Sequence, residues 1–270
     1  MLYPLNSFSK DRMNNITAKV LLVLLPAFCF AFCSMMMRST THADNQSRLA
    51  PRKLYCFWNG DKPMSENRRR CFNTLWNSGL EVILVTDHNL SKFILPEAPL
   101  HEGYKYLSAA HKSDYLRAYF MHFHGGGYSD LKKITKSWLP ALDELNKNTS
   151  AYAVGYAEVS RNDVAVVPNK LLNKRMHENW DSLIGICQMI CRPRSRFTSE
   201  WYRRMINTMD ANIKSLRKNP ARDVSDWYTK DYPYPFRWAQ VGGEAFHPAC
   251  YQFRKHIRQS LPIFQWVPYR

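Results

Sequence analysis

Acidic residues are scarce in this sequence. Its 270 residues include 22 Asp and Glu against 38 Lys and Arg, which gives a formal net charge of +16. The basic residues are spread along the chain, so we expect a positive field over the whole domain that favours anionic ligands or anionic lipid. Charge alone also suggests nucleic acid, but the sequence lacks zinc-ligand spacing, a heptad-backed basic region and an RNA-binding aromatic signature. We therefore expect no nucleic-acid partner.

Internal repeats and low-complexity tracts are absent as well, so the length suits one catalytic-size domain with a single core. Cysteine is unevenly placed, because two of the seven lie in an apolar run near the N-terminus and five remain for the globular part. An odd number of thiols cannot all pair with one another. Cys187 and Cys191 are separated by three residues in an apolar segment, which favours two buried thiols over a zinc or redox pair.

The apolar run is "AKVLLVLLPAFCFAFCSMMM", residues 18–37, and it carries no charge after Lys19. As a helix it is long enough to cross a bilayer core of about 30 Å. We predict a membrane anchor after a short tail at 1–17; the alternative is a cleaved signal peptide, whose apolar region is usually shorter. The short N-terminus favours a single-pass type II topology, with the domain facing the Golgi or ER lumen in a eukaryotic cell.

Residues 38–51 are polar, end in Pro51 and are predicted to form a stem, followed by a domain at 52–270. The β-rich stretch 53–60 predicts a first strand, and 64–79 predicts a helix with Ser65 as N-cap and Gly79 as its end. The nearly continuous apolar run at 80–87 is typical of a parallel strand covered on both faces. Together they form a β-α-β unit and predict an α/β domain.

A helix is predicted over 108–124, ended by Gly125. Its apolar stripe consists of Leu116, Tyr119, Phe120 and Phe123. Ser113, Asp114 and Arg117 share another stripe, because offsets of three and four residues fall on one helix face. The two charged residues form either an ordinary surface ion pair or part of a functional face.

The glycines at 125–127 and a short strand are predicted to present Asp130 at the strand end, although a plain flexible connection is the alternative. Further strands are predicted at 151–158, 162–168 and 183–193, and an amphipathic helix at 197–219. The aromatic, proline-rich segment 226–248 cannot be regular helix before Arg237. It either lines a sugar site or covers the sheet edge.

This order of groups resembles the sugar-nucleotide glycosyltransferases with a DxD motif, in particular the capsular polysaccharide synthesis and α-mannosyltransferase-like group. That group has Ser-Asp, an Arg three residues after the Asp, an apolar helix, Gly-Gly, an aromatic residue and Asp-x-Asp. The matching residues are Ser113, Asp114, Arg117, Gly125, Gly126, Tyr128 and Asp130. The resemblance extends over 53–248 and is weaker outside 106–133.

The resemblance implies a GT-A fold, a Rossmann-like α/β domain that binds a nucleotide sugar at the carboxyl edge of its sheet. It implies a hexosyltransferase that retains the anomeric configuration and acts on a glycan or lipid-linked acceptor. The residues expected to bind the donor are Ser113, Asp114, Arg117, Gly126, Gly127 and Tyr128. Asp130 matches the first Asp of the DxD motif, and Asp114 is expected to contact ribose or base.

One position departs from the family pattern, because Lys132 stands where the second Asp should be. Lys132 either replaces a Mn²⁺ or Mg²⁺ ion on the diphosphate, or His247 joins Asp130 to bind such an ion. The third alternative is a catalytically silent protein that binds nucleotide sugar or glycan. The candidates for a catalytic base or nucleophile are Glu158, Asp163, Asp181 and Glu244, and Glu244 is preferred because it follows a Gly-Gly pair near the proposed site.

Overall fold

The computed structural model describes residues 49–60, 62–222 and 232–268. The predicted tail, the predicted membrane anchor at 18–37 and most of the predicted stem lie outside these residues. Within the described ranges, no helix combines the length and the apolar character needed to cross a membrane. Ala50 belongs to the fold instead of the stem, since it is buried and its N–H and C=O bond the side chain of Asn146.

A mixed sheet forms the centre of the fold. Its six strands are β1 (Lys53–Trp58), β2 (Glu81–Thr86), β3 (Gly126–Ser129), β4 (Ala153–Ala157), β5 (Ile184–Cys191) and β6 (Ile257–Arg258). The order across the sheet is β2-β1-β3-β5-β4-β6, and only β5 runs antiparallel to its neighbours in this described sheet. The predicted α/β class is therefore confirmed.

The first β-α-β unit is confirmed in detail. Helix α1 (Glu66–Asn73) begins at Ser65, whose hydroxyl accepts from the Arg68 N–H, and Gly79 ends the following turn with φ 75°. Strand β2 differs from expectation, because it is an edge strand and only Val85 is fully buried. Apart from Val85, the residues of β2 are exposed or partly buried, so this strand is half-covered instead of buried on both faces.

Helix α2 (Ala109–Phe123) has Ser108 as its N-cap. The predicted apolar stripe is confirmed, since Leu116, Tyr119 and Phe120 are fully buried in the core. Gly125 and Gly126 then turn the chain into β3 with φ 65° and 81°, values that favour glycine.

Four more helices follow: α3 (Leu139–Lys147), α4 (Lys170–Glu178), α5 (Arg196–Lys218) and α6 (Gly243–Phe253). The amphipathic helix predicted at 197–219 is α5, and its buried side includes Trp201, Met205 and Met209. The strand predicted at 162–168 is wrong, because a short 3₁₀ turn at Arg161–Asp163 leads through irregular chain into α4, which Asn169 caps.

The aromatic segment 226–248 is irregular over 232–242, as predicted, and helical from Gly243. Helix α6 begins at Gly243, so His247 lies on a buried helix face and not in a loop. Tyr234 and Phe236 are buried against His111 of α2, which fits a cover over the core better than a sugar-stacking surface. Segment 223–231 lies outside the described residues.

Two hydrophobic layers sandwich the sheet. The larger contains residues of α2, α5 and α6, and the smaller contains Trp138 and residues of α3. The cysteines of the described chain are free thiols, in agreement with the expectation of buried thiols at Cys187 and Cys191, although Cys187 is only half-buried.

The strand directions gather polar residues at one edge of the sheet. β1, β2, β3 and β4 run the same way and are followed there by Asn59, Asp87, Asp130 and Glu158. The chain passes from β1 to β2 on one side of β1 and then returns to β3 on the other. In open α/β sheets, ligands bind in the crevice at such a change of direction.

Candidate active site

Asp130 is held at the carboxyl end of β3 by two donors. The Tyr128 hydroxyl donates to Asp130 Oδ1 at 2.6 Å, and Arg117 Nη2 donates to the same oxygen at 3.0 Å. The Asp130 side chain is nevertheless 28% exposed. The carboxylate is therefore fixed in position and still accessible to a ligand.

Arg117 joins Asp130 to a second carboxylate. Its Nη1 lies 3.4 Å from Asp114 Oδ1, and its guanidinium stacks over the Tyr128 ring at 4.6 Å. The ion pair is buried, so an ordinary exposed pair on the helix surface is ruled out. Burial raises the pKa of Asp114 to about 6, with Arg117 opposing the rise and Asp130 adding to it. Arg117 thus contacts two carboxylates, of which Asp114 is the more buried.

Helix α6 approaches the same carboxylate. A side chain at Gly242, the residue before α6, would place its Cβ 2.7 Å from Asp114 Cγ. Gly242 therefore lets the N-terminus of α6 pack against Asp114. The N-terminal end of a helix carries partial positive charge and favours nearby anions. In the sequence, the Gly-Gly pair is the only sign of this contact.

Ser113 contacts Asn59, a residue that was not predicted from the sequence. Asn59 Nδ2 donates to Ser113 Oγ at 2.9 Å, which ties the end of β1 to α2. Asn59 Oδ1 is buried and has no hydrogen-bond partner within the described part of the chain. In the sequence, Asn59 is recognisable only as a polar residue between the predicted first strand and Gly60.

A cleft of about 510 Å³ opens beside Asn59, at the ends of β1 and β2. It is lined by Trp58, Gly60, Lys62, Pro63, Met64, Thr86, Asp87 and His88. Asp87 Oδ2 accepts from the Gly60 N–H at 2.9 Å, and this hydrogen bond links the ends of β1 and β2. The cleft combines an indole face, a lysine and a carboxylate.

Lys132 lies at the same strand end as Asp130. Its backbone N–H donates to the Asp130 C=O at 2.7 Å, and the residue is only 5% exposed. The ammonium lies 4.5 Å from the centroid of the Phe264 ring and 4.3 Å from that of Trp266. The sequence did not single out these two aromatic residues.

His247 is not brought together with Asp130. The Ala165 N–H donates to His247 Nδ1 at 3.0 Å, so the ring proton lies on Nε2, which donates to Glu158 Oε2 at 3.1 Å. Both ring nitrogens are engaged. Among the described residues, no group of three or more His, Cys, Asp or Glu side chains could hold a metal ion. The pair Asp130 and His247, predicted to bind a Mn²⁺ or Mg²⁺ ion together, therefore does not form among these residues.

Three other predicted site residues are placed differently from expectation. Glu244 is held by Arg237, whose Nη2 donates to both carboxylate oxygens at 3.0 and 2.9 Å. Gly126 and Gly127 lie at the amino end of β3, where added Cβ atoms would meet Lys53 O at 2.9 Å and Leu54 Cδ1 at 3.0 Å. These two glycines allow β3 to pack on β1 and do not line the edge that carries Asp130.

Comparisons with known proteins add little to the geometry. No protein-family model matches the chain, and no curated protein matches it. The chain is similar to the solved PaToxG glycosyltransferase, with a TM-score of 0.41 and 12% identity over 82% of this chain and 77% of that chain. This similarity is too low to transfer an activity, so the function has to be inferred from the site.

Proposed function

We propose that this chain is a glycosyltransferase that uses a nucleoside-diphosphate sugar bound at the carboxyl edge of β1, β2 and β3. The observation that carries the proposal is the cluster of Asp114, Arg117, Tyr128 and Asp130 at the change of chain direction, in which Arg117 and Tyr128 are buried and Asp130 is partly exposed. Such a cluster of desolvated charges in a crevice is typical of a functional site. The family resemblance of the same residues supports this choice.

The cleft beside the cluster suits the nucleoside part of the donor. Trp58 offers an aromatic surface for a base, and Asp87 follows β2, where α/β nucleotide sites often carry an acid for the ribose hydroxyls. Asn59 then stands between the cleft and Asp130, and its buried Oδ1 is an available acceptor. We place the diphosphate along this path, toward Asp130 and Lys132.

The chemistry follows from the charges. Transfer breaks the bond between the anomeric carbon and the diphosphate oxygen and forms a bond from the anomeric carbon to an acceptor hydroxyl, which loses its proton. Negative charge develops on the diphosphate, and fixed cations stabilise it. We assign Lys132, which lies beside Asp130 at the end of β3, to the leaving group. We propose a hexose as the sugar and a glycan or lipid-linked acceptor, on the resemblance alone.

A divalent cation does not fit this arrangement well. A Lys in place of a carboxylate removes a ligand and adds a repelling charge, and His247 is engaged elsewhere. We propose that Lys132 contributes the positive charge that the second carboxylate and its metal supply in the related family. The rival proposal, favoured by the same substitution, is a silent binder of nucleotide sugar.

A donor screen separates the two. The full-length protein is incubated with UDP- and GDP-linked hexoses, with either EDTA or Mn²⁺, and release of the nucleoside diphosphate is measured. The proposal expects release from at least one donor in EDTA, and loss of release in Asp130→Asn. Binding of a nucleoside diphosphate without release from any donor would support the silent binder. Neither binding nor release would refute both.

A further inference from the structure

The C-terminal segment 261–268, here called the strap, crosses the loop that follows β3. The Leu261 N–H donates to the Gly155 C=O at 3.1 Å, which fixes one end of the strap to β4. The Gln265 N–H donates to the Lys133 C=O at 2.8 Å and forms a β-bridge with that residue. The strap is thus fastened directly beside Lys132.

Phe264 and Trp266 of the strap lie on either side of this bridge in sequence, and both rings meet the Lys132 ammonium. Phe264 is buried and meets the Tyr156 ring edge-on at 5.4 Å between centroids. Tyr156 itself lies over Gly185, where an added Cβ would be 2.0 Å from the phenol. The inner ring is therefore rigidly supported, whereas Trp266 is 63% exposed.

An aromatic ring holds a cation without cancelling its charge. The ring quadrupole attracts the ammonium, and this compensates part of the cost of removing it from water. Contact with two rings therefore fixes the position of the ammonium without itself neutralising its charge.

We infer that Phe264 and Trp266 are positioning residues that hold the Lys132 ammonium toward the diphosphate of the donor. This inference rests on the proposed function and assigns the strap to the active site. The contrary view is that Lys132 serves only to fasten the strap. In that case loss of a ring would change stability and leave diphosphate binding unaffected.

Trp266→Leu tests the inference, because this ring is exposed and its loss should leave the core intact. The matched control is Trp76→Leu, which removes a 56% exposed tryptophan before β2, at the opposite edge of the sheet. Binding of inorganic pyrophosphate in EDTA is measured by calorimetry for both full-length variants, together with kcat and KM for the best donor. Trp266→Leu should weaken pyrophosphate binding by about threefold to thirtyfold and lower kcat, while Trp76→Leu should change neither.

The conservative variant Trp266→Phe should restore most of the binding, since it keeps a ring over the ammonium. Unchanged pyrophosphate affinity in Trp266→Leu, with or without a lower melting temperature, would overturn the inference. Absence of pyrophosphate binding to the wild-type protein in EDTA would overturn it as well. If no donor is turned over but pyrophosphate binding depends on Trp266, the proposed transferase activity is wrong. The inferred role of Phe264 and Trp266 in positioning Lys132 is then retained.

Discussion

Asp130 and Glu158 both follow parallel strands at the same edge of the sheet, yet different partners hold them. Asp130 is paired with Arg117 and Tyr128 and keeps 28% of its side chain exposed. Glu158 is 5% exposed and accepts from His247 and from its neighbour's backbone N–H. The first carboxylate is oriented but open, and the second is enclosed. A position at the end of a strand is therefore not enough for a ligand site. The carboxylate must also be exposed to the ligand and held in position by its partners.

The strongest test of this difference is neutralisation of Asp130. Asp130→Asn keeps an oxygen for Tyr128 and Arg117 but removes the charge, so we expect turnover to fall by about 100-fold to 1000-fold. Release of nucleoside diphosphate measures the effect, and urea denaturation should show little loss of stability. Glu97→Gln, at an exposed acid paired with Arg194, is the control. Near wild-type turnover in Asp130→Asn would remove this residue from the site.

Arg117 does not offer an equally clean test. Arg117→Ala would leave Asp114 and Asp130 without their shared cation, and breaking a buried pair typically costs about 3 to 5 kcal/mol. Loss of activity in that variant would therefore mix function with unfolding.

Lys132→Asp restores the family's carboxylate and reverses the local charge beside Asp130. In EDTA, turnover should fall by about 100-fold because the leaving group loses its cation. Added Mn²⁺ should recover part of it, since two carboxylates then offer oxygen ligands to a divalent ion. The wild-type protein should be active in EDTA. Complete loss of wild-type activity in chelator, reversed by Mn²⁺, would contradict the role given to Lys132.

Substitution of Glu158 should change stability more than turnover, whereas substitution of Asp130 should change turnover more than stability. Glu158→Ala leaves the buried His247 N–H without its acceptor, which should lower the free energy of unfolding by about 1 to 3 kcal/mol. Glu158→Gln keeps an acceptor and should cost less. Turnover per folded molecule should stay within about threefold of wild type in Glu158→Gln, if the residue is structural. A large loss of turnover with unchanged stability would make Glu158 a second functional carboxylate.

The smallest expected effect is on the pH dependence of the free energy of unfolding. The folded protein holds a proton on Asp114 more tightly than the unfolded chain does, because burial raises its pKa to about 6. Between about pH 4 and 6 this residue makes the free energy of unfolding fall as pH rises. Asp114→Asn should remove that slope. The variant should therefore gain on the order of 1 kcal/mol relative to wild type between pH 4 and 7, measured by urea denaturation.

His111 gives the opposite slope in the same range. Burial lowers its pKa to about 4, so the unfolded chain binds the proton more readily and stability rises with pH up to about 6.5. This contribution is present in both proteins and cancels in the difference between them. A difference that is independent of pH would show that Asp114 does not titrate as inferred.

The sequence could predict elements whose signal is local. Strands β1 and β5 and helices α2 and α5 follow from apolar periodicity, and Asp114, Arg117 and Asp130 follow from a motif within twenty residues. Gly126 and Gly127 were misplaced, because a glycine run does not reveal which sheet edge it faces. His247 lies in a helix and not in a loop, because α6 accommodates Pro248.

Contacts between distant parts of the chain could not be predicted. Lys132 and Trp266 are 134 residues apart in sequence, and no pattern in either segment predicts the contact. Asn59 is a single polar residue after a strand, so its link to Ser113 appears only when β1 and α2 are packed together. Such residues depend on the topology, which a family resemblance supplies only in outline.

The contact of Tyr156 with Gly185 has a consequence for the evolution of the chain. Any side chain at 185 would displace the phenol, which supports Phe264 and through it the strap. Positions 156, 185 and 264 should therefore change together among homologues or not at all. A homologue with a larger residue at 185 that keeps both Tyr156 and Phe264 would show that the three are not coupled. Covariation at these positions would thus indicate a constraint between strands β4 and β5 and the strap.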